Sequence, residues 1–401
     1  MPGIALGLLS GGREEVWADG VADLSTGEPV MPETRFRIAS ISKPFTATLA
    51  LTLVQEGALG LDEPLPGLRV PVTLRQALAH TAGLACEWPS PVLPAFGSGD
   101  DALIRLAAAE PERLPVEPGE LFSYCNVGYW LVGAAVAHLT GRTFEEAMHE
   151  RVLEPLGLAD TSFEPDPETA AGHVPVAADR PEHRVVRTEE YPRTRRPSGG
   201  LYSTVADLLR FARHHVGGPG PLTPESRSLM HGLHARRPKY GYGLGWALER
   251  RGGRVVGGHA GSVAGYESHL LVAPEETLAL VVLTNSARGS ALIEHVADDV
   301  GLGADAPLPV ALSAEDLGSL AGVYAHQDER LRVEVDDEGL RCELSEVDPT
   351  TGERTVDSEF VAVPVGGGEF AVLEGPARGA RVDVPRPGFL RTSVLWRRVG
   401  E

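Results

Sequence analysis

The sequence predicts an α+β fold, an α/β sandwich in which an antiparallel sheet is flanked by helices and carries an inserted all-helical subdomain, followed by a small all-β barrel. Three observations predict it. Strand-like segments open the chain and return at residues 241–285, with helical segments between them, which suits one sheet closed by both ends of the region. The composition changes at "GADAPLPVALS", residues 303–313. Beyond that point come short alternating runs separated by turns at intervals of roughly 8 to 12 residues, the pattern of an antiparallel barrel or sandwich. The expected units are 1–308 and 312–401.

"IALGLLSGG" and "EVWADGVADLSTGEPV" predict two or three strands joined by glycine turns. "SISKPFTATLALTLVQEGALGL" predicts a helix: Leu49, Leu53 and Val54 recur at helical spacing, Pro44 sits in the first turn where its missing N–H does no harm, and Gly57 and Gly60 end it. Ser40 falls at its start and Lys43 one turn further on, on the same face. "TLRQALAHTAGL" reads as a helix and turn, residues 88–99 as a loop, and "NVGYWLVGAAVAHLTGR" as an apolar helix stopped by Gly141. Residues 164–197 are polar and rich in Pro and Arg, and read as an irregular excursion. "STVADLLRFARHH" is a helix with a Ser/Thr cap and Asp207 in its first turn. The segment from "GYGLGW" to "LVVLTN" reads as a three-stranded meander. Seven alternating runs follow in the C-terminal unit, where Tyr324 and Trp396 are expected in the core.

Net charge is -20 and no basic block is present, which argues against nucleic-acid and anionic-membrane surfaces. Cys86, Cys125 and Cys342 show neither a paired framework nor metal spacing, so free thiols in a reducing cytoplasm are expected. The N-terminus lacks a basic n-region, and no stretch reaches the roughly 18 apolar residues of a membrane span. A soluble intracellular protein is the expectation, with homo-oligomerisation left open.

Three short elements carry the chemistry. Only two of the 36 basic residues are lysines, Lys43 and Lys239. Arginine stays protonated in proteins, whereas a desolvated lysine can act as a base. In "SISK", Ser40 at a helix N-terminus lies in positive potential, and Lys43 one turn on can take its proton. "FSYCNVGYW" brings Tyr124 and Asn126 just ahead of a helix, and "GGHAGSVAGY" brings His259 to the start of a strand. Alone, each has a plain structural reading: a surface lysine, a core tyrosine, a structural histidine.

Together, Ser-x-x-Lys, Tyr-x-Asn and His-x-Gly occur in order, about 80 and about 135 residues apart. The combination resembles the penicillin-recognising serine hydrolases: class C β-lactamases, D-Ala-D-Ala carboxypeptidases, D-aminopeptidases and related esterases. "PETRFRIASISKPFTA", "LVQEGALGLDEPL", "LAHTAGL", "LEPLGLADTSF", "SGGLYSTVADLLRF" and "YGLGW" match the same family's manner over nearly all of residues 2–300. The segment from about 312 resembles, more loosely, the lipocalin-like domain some members carry. The resemblance implies a β-lactamase/transpeptidase-like fold with Ser40 as acylated nucleophile, Lys43 assisting its deprotonation, and Tyr124 as a phenolate-like general base and proton relay. It implies that Asn126 holds the substrate amide and the Lys43 head group, that His259 fills the third motif, and that the backbone N–H groups of Ser40 and Ser262 form the oxyanion hole. It implies no metal and no organic cofactor.

Two departures matter. Ala260 stands where peptidase members commonly have Thr, and alanine cannot hydrogen-bond a substrate carboxylate, a loss of about 1–3 kcal/mol. With Gly261 it leaves the third motif as His-Ala-Gly, which favours ester, amide or amino-terminal substrates over the β-lactamase and carboxypeptidase readings. The chain also begins almost at the first strand, where members usually carry a helix. Cys125 replaces the common serine and receives no role.

Three readings remain. The first is a serine hydrolase acting through a Ser40 acyl-enzyme on a small-molecule or peptide-like ester or amide. The second is an acyltransferase of a natural-product pathway, in which an amine replaces water. The third is a non-catalytic binding protein on the same fold. The loops at 85–100 and 164–197 are expected to line the cleft. Tyr242, Trp246 and Tyr266 are either walls of that cleft or core aromatics.

Overall fold

The structure, a computed structural model, describes all residues except 1, 88–95, 177–181, 187–190, 238–239, 306–308, 311, 313–316, 336–338, 349–352, 375–376, 378–379 and 400–401. Lys239 and part of each expected cleft loop therefore lie outside the described residues, as do residues 308 and 311 of the expected boundary between 308 and 312.

The main sheet begins with β1 (Gly3–Ser10), β2 (Arg13–Asp23) and β3 (Glu28–Pro29). Two small pairs belong to the middle of the chain, β4 (Phe36–Arg37) with β7 (Tyr202–Ser203) and β5 (Gly172–Pro175) with β6 (His183–Val186). The sheet resumes with β8 (Ala235–Arg237), β9 (Tyr240–Tyr242), β10 (Ala247–Arg251), β11 (Arg254–Val263), β12 (Tyr266–Ala273) and β13 (Leu278–Thr284). All nine strands order as β3-β2-β1-β13-β12-β11-β10-β9-β8. The first strand thus pairs with the last, Ile4 opposite Thr284 and Leu9 opposite Ala279. The expected three-stranded meander is five strands, because "GLGW" and the Gly252-Gly253 turn break what reads as one run.

Helices fill the middle: α1 (Ser42–Gln55), α2 (Leu74–Leu78), α3 (Ala102–Ala107), α4 (Asn126–Thr140), α5 (Phe144–Met148), α6 (Glu154–Leu156), α7 (Arg196–Gly199), α8 (Val205–His215) and α9 (Pro224–His231), with α10 (Ser290–Asp299) after the sheet. The middle of the sheet is apolar on both faces. Ala5, Leu9, Val281 and Leu283 join the main core under the helices, while Leu280, Val282 and Leu271 meet Ile293 and Ala297 of α10. That two-sided burial gives β13 its unbroken apolar sequence, as a covered strand requires. Gly141 ends α4 in a left-handed conformation at φ 64, and Thr204 caps α8 by accepting from the Asp207 N–H.

The C-terminal strands are β14 (Gly322–His326), β15 (Glu329–Val335), β16 (Leu340–Val347), β17 (Arg354–Gly366), β18 (Glu369–Val372), β19 (Arg381–Asp383), β20 (Phe389–Arg391) and β21 (Leu395–Val399), and they close into a barrel. Tyr324 and Trp396 lie in its core. The sequence runs miss β20, whose three residues are too few to show alternation. The barrel docks on the stretch before α4: Ser393 O accepts from the Tyr124 N–H at 2.8 Å, and Ser123 Oγ accepts from the Leu395 N–H at 3.0 Å.

Candidate active site

The nucleophile candidate sits on a bent backbone. Ala39 adopts φ 44, unusual for a residue with a Cβ, and such local strain gathers at functional sites. Residues Ala39–Ile41 form a 3₁₀ turn that runs directly into α1. Their neighbours Ile38, Ala39, Ile41 and Ser42 are buried, and Ser40 is partly exposed. One turn on, Lys43 is fully buried. Its Nζ lies 3.0 Å from Ser40 Oγ and donates to Ser198 O at 3.0 Å. Burial lowers the Lys43 pKa from 10.5 to about 7, only partly offset by the thiol of Cys86 and the carboxylate of Glu87.

Tyr124 completes this corner, donating its hydroxyl to Ser40 Oγ at 3.0 Å, with Lys43 Nζ 4.7 Å above its ring. Burial holds the phenol well above its ordinary pKa. Tyr124 is therefore neutral in the free protein, unlike the phenolate-like group the family resemblance implies. Lys43 is the group here that changes charge near neutral pH.

The third motif is placed differently. Strand β10 pairs with β11 only as far as Gly258, so His259–Val263 has β12 as its single strand partner. This stretch lies close to the approach to Ser40. A Cβ on Gly261 would come within 2.2 Å of Ile38 O, so only glycine fits, and Ser268 Oγ contacts both Ile38 O and Gly261 O. Ala260 and Ser262 are exposed, and Ser262 Oγ donates to Glu267 at 2.7 Å. His259, however, makes no hydrogen bond to Ser40, Lys43 or Tyr124. Its Nδ1 faces Ala260 O at 2.7 Å, and a carbonyl can only accept, so Nδ1 carries the proton. Nε2 then accepts from the Tyr242 hydroxyl at 2.9 Å. Burial, reinforced by Lys43, lowers His259 to about 3, so it is neutral.

Asn126 also departs from expectation. It does not reach Lys43; its Nδ2 donates to Glu87 Oε1, while its Oδ1 is buried with no partner. Cys125, to which the sequence assigned no role, caps α4: Sγ accepts from the Gly128 N–H at 3.3 Å and donates to Ala85 O at 3.1 Å. Sequence reasoning missed Ser198, whose carbonyl fixes Lys43, and Glu87. Ser198 opens "SGGLYS", a stretch with a family signal, but nothing in the local pattern marks Glu87.

A cavity of about 320 Å³ opens beside Tyr124 and His259, lined also by Tyr242, Arg237, Ala260 and the barrel's Ser393. The larger groove of about 610 Å³, between Ala22–Thr34 and Pro165–Ala171, holds none of the motif residues, although Tyr266 lines it. Trp246 is fully buried in the core. Among the described residues no group of three His, Cys, Asp or Glu side chains is placed to hold a metal, and no helix is long and apolar enough to cross a membrane.

A partly exposed serine between a buried lysine and a neutral tyrosine, at the head of a helix beside an antiparallel sheet, puts the molecule among serine hydrolases of the β-lactamase and D-aminopeptidase kind. The chain belongs to the Beta-lactamase family, which matches residues 1–300. It is 32% identical over 313 residues to Penicillin-binding protein 4 of Amycolatopsis lactamdurans, covering 71% of this chain and 81% of that one. It is 27% identical over 421 residues to a D-aminopeptidase of Gluconobacter oxydans, covering 99% of this chain and 76% of that one. The crystal structure of SurE, solved also with D-Leu, matches with a TM-score of 0.77 at 27% identity, covering 99% of this chain and 95% of that chain. The D-amino acid amidase from Ochrobactrum anthropi SV3, complexed with D-phenylalanine, matches at 28% identity with a TM-score of 0.61, covering 71% of this chain and 87% of that chain.

Proposed function

We propose that this serine hydrolase forms an acyl-enzyme on Ser40 and acts on esters or amides of amino acids, with D-configured aminoacyl groups as the substrate class. The observation that carries the mechanism is the shared contact at Ser40 Oγ, 3.0 Å from both Lys43 Nζ and the Tyr124 hydroxyl. With its pKa lowered by burial to about 7, Lys43 can be neutral near pH 7 and accept a proton. Ser40 Oγ attacks the substrate carbonyl and its proton moves to Lys43 Nζ. The Tyr124 hydroxyl hydrogen-bonds the developing alkoxide and relays a proton from Lys43 to the leaving alcohol or amine. The negative oxygen of the tetrahedral intermediate is held by the N–H groups of Ser40 and Ser262. Water then attacks the ester on Ser40, returning the serine and releasing the acid.

The substrate class is supported by the relatives named D-aminopeptidase and by the neighbours solved with D-Leu and D-phenylalanine. Ala260 supports it too, because it offers no hydroxyl to a substrate carboxylate. The cavity between Tyr124, His259 and the barrel favours the transferase as a second reading: an amine lodged there would intercept the acyl group in place of water. Three free cysteines support a reducing, cytoplasmic setting.

The test is intact mass after treatment with a fluorophosphonate and, separately, p-nitrophenyl acetate. One adduct on Ser40 is expected in wild type, with none on Ser40→Ala and strongly slowed labelling of Lys43→Ala and Lys43→Arg. An unlabelled wild type, or Lys43→Arg labelling at the wild-type rate, overturns the proposal. Adding D-amino acid amides to the p-nitrophenyl acetate mixture separates hydrolysis, which gives acetate, from transfer, which gives an N-acetyl-D-amino acid amide.

A further inference from the structure

His80 lies in "LAHTAGL", outside the three motifs and two residues past the end of α2. It is 1% exposed and adopts φ 58. Just past a helix end, this left-handed conformation usually belongs to glycine, which carries no Cβ. The contacts of His80 converge on Tyr124. Its carbonyl oxygen accepts from the Ser123 N–H at 2.9 Å, and its Nδ1 accepts from the Cys125 N–H at 2.9 Å. One residue thus holds the peptide groups on both sides of Tyr124. The Tyr124 N–H between them goes to Ser393 O of the barrel. The imidazole also lies against the Tyr124 ring, with centroids 4.4 Å apart and planes 34° apart, and meets the Tyr242 ring at a steep angle, 4.7 Å away.

The backbone donor fixes the state of the imidazole. An N–H can only donate, so Nδ1 is the bare nitrogen and Nε2 carries the hydrogen. Nε2 is buried and meets no acceptor among the described residues. Burial, with Lys43 and His259 nearby, holds His80 well below its ordinary pKa, so the ring stays neutral. A leucine would fill this space without an unanswered N–H, and a glycine would take the backbone without strain. Neither supplies both an acceptor for Cys125 and a flat ring against Tyr124.

We infer that His80 is a positioning residue for Tyr124, clamping its backbone on both sides and bracing its ring so that the phenol hydroxyl stays within reach of Ser40 Oγ. Tyr124 lines the cavity and hydrogen-bonds the reacting oxygen, and His80 acts through it. A displacement of about 1 Å at such a group costs about 10²-fold in rate, which sets the size of the expected effect. This inference rests on the Ser40 acyl-enzyme reading.

The test uses variants of the full chain, read as kcat/KM on p-nitrophenyl acetate at the plateau above the acid limb. His80→Gly keeps the left-handed backbone while removing acceptor and ring, and is expected to lose about 10²-fold. His80→Asn tolerates the same φ and offers Oδ1 where Nδ1 stood, and is expected to keep at least about a tenth of the wild-type value. In a Tyr124→Phe background, which lacks the hydroxyl being positioned, His80→Gly is expected to lower the remaining activity by less than about threefold. An equal loss in both backgrounds, or His80→Asn as poor as His80→Gly, overturns the inference. So does a His80→Gly plateau equal to wild type but reached through an acid limb moved to higher pH, which places the effect on Lys43. Crystal structures give a readout independent of turnover: Tyr124 Oη is expected 3.0 Å from Ser40 Oγ in wild type and beyond hydrogen-bond reach in His80→Gly. An unmoved Tyr124 hydroxyl overturns the inference. Absence of Ser40 labelling in wild type removes the acyl-enzyme reading instead, and the crystal structures still decide whether His80 holds Tyr124.

Discussion

The two sides of the cleft carry motif residues in opposite conditions. At the head of α1, Ser40, Lys43 and Tyr124 are already joined, with two polar groups 3.0 Å from one oxygen. Across from them, His259 is tied to Tyr242 and to its own chain at Ala260. Both sides are buried, and burial acts on each by the same rule, disfavouring charge. On Lys43 it yields an amine that titrates near neutrality; on His259 it yields an imidazole that stays neutral down to about pH 3. One desolvated cation becomes a usable base, while the other becomes a fixed dipole. In the proposed mechanism, proton transfer belongs to the first side and shaping of the cavity to the second.

The largest expected effect falls on the first side. Replacing Lys43 by Met removes the proposed general base and should lower kcat/KM by about 10²- to 10⁴-fold, read with p-nitrophenyl acetate. The same substitution should raise thermal stability at pH 7. The folded pKa of about 7 lies below the unfolded value of 10.5, so the unfolded chain binds the extra proton first as pH falls. Stability is lost between pH 10.5 and 7 and stays level below, so the gain on removing Lys43 should be largest at neutral pH and vanish near pH 10.5. Melting curves of the two proteins at pH 7 and pH 10 check this.

The pH profile sharpens the contrast. Wild-type kcat/KM should fall with an acid limb near pH 7, about tenfold per unit below it, as Lys43 becomes protonated. A limb that stays at the same pH in His259→Gln assigns it to Lys43. The smaller effect is expected on the second side: Tyr242→Phe removes the donor to His259 and should change kcat/KM by less than about tenfold. A loss as large as that of Lys43→Met would make His259 an equal partner in proton transfer and break the comparison.

A further expected effect lies outside the cleft. Beneath α1, His215 and His231 face each other at 3.4 Å, with Thr48 and Trp246 beside them. Burial lowers His231 from 6.5 to about 4, and His215 well below 6.5. The unfolded chain therefore protonates these groups first, and stability should fall as pH drops from 6.5 toward 4. Urea midpoints across that range should fall less steeply in His231→Gln.

The cleft shows how far local pattern reaches. "SISK" placed Ser40 and Lys43 on one face of a helix because helical spacing is a property of neighbouring residues. "YCN" placed Tyr124 near them only through the family resemblance. The pattern could not give the direction of the Asn126 amide, which depends on Glu87, nor the partner of His259, which depends on a hydroxyl from another strand. Cys125 read as a small buried residue because its capping bond becomes visible only once the start of α4 is fixed.

The sequence by itself determined that Ser40 and Lys43 lie one turn apart at the head of α1, where α1, α4 and α8 begin or end, and that strands open and close the β-lactamase-like unit. These follow from periodicity, caps and turn residues, all local. Only the tertiary structure decided that β1 pairs with β13, that eight short strands close into a barrel, and that this barrel docks on the stretch before α4. It alone decided the protonation of the site. Burial is set by segments distant in the chain, and it is burial that lowers the Lys43 pKa to about 7, keeps Tyr124 a neutral phenol and leaves His259 uncharged.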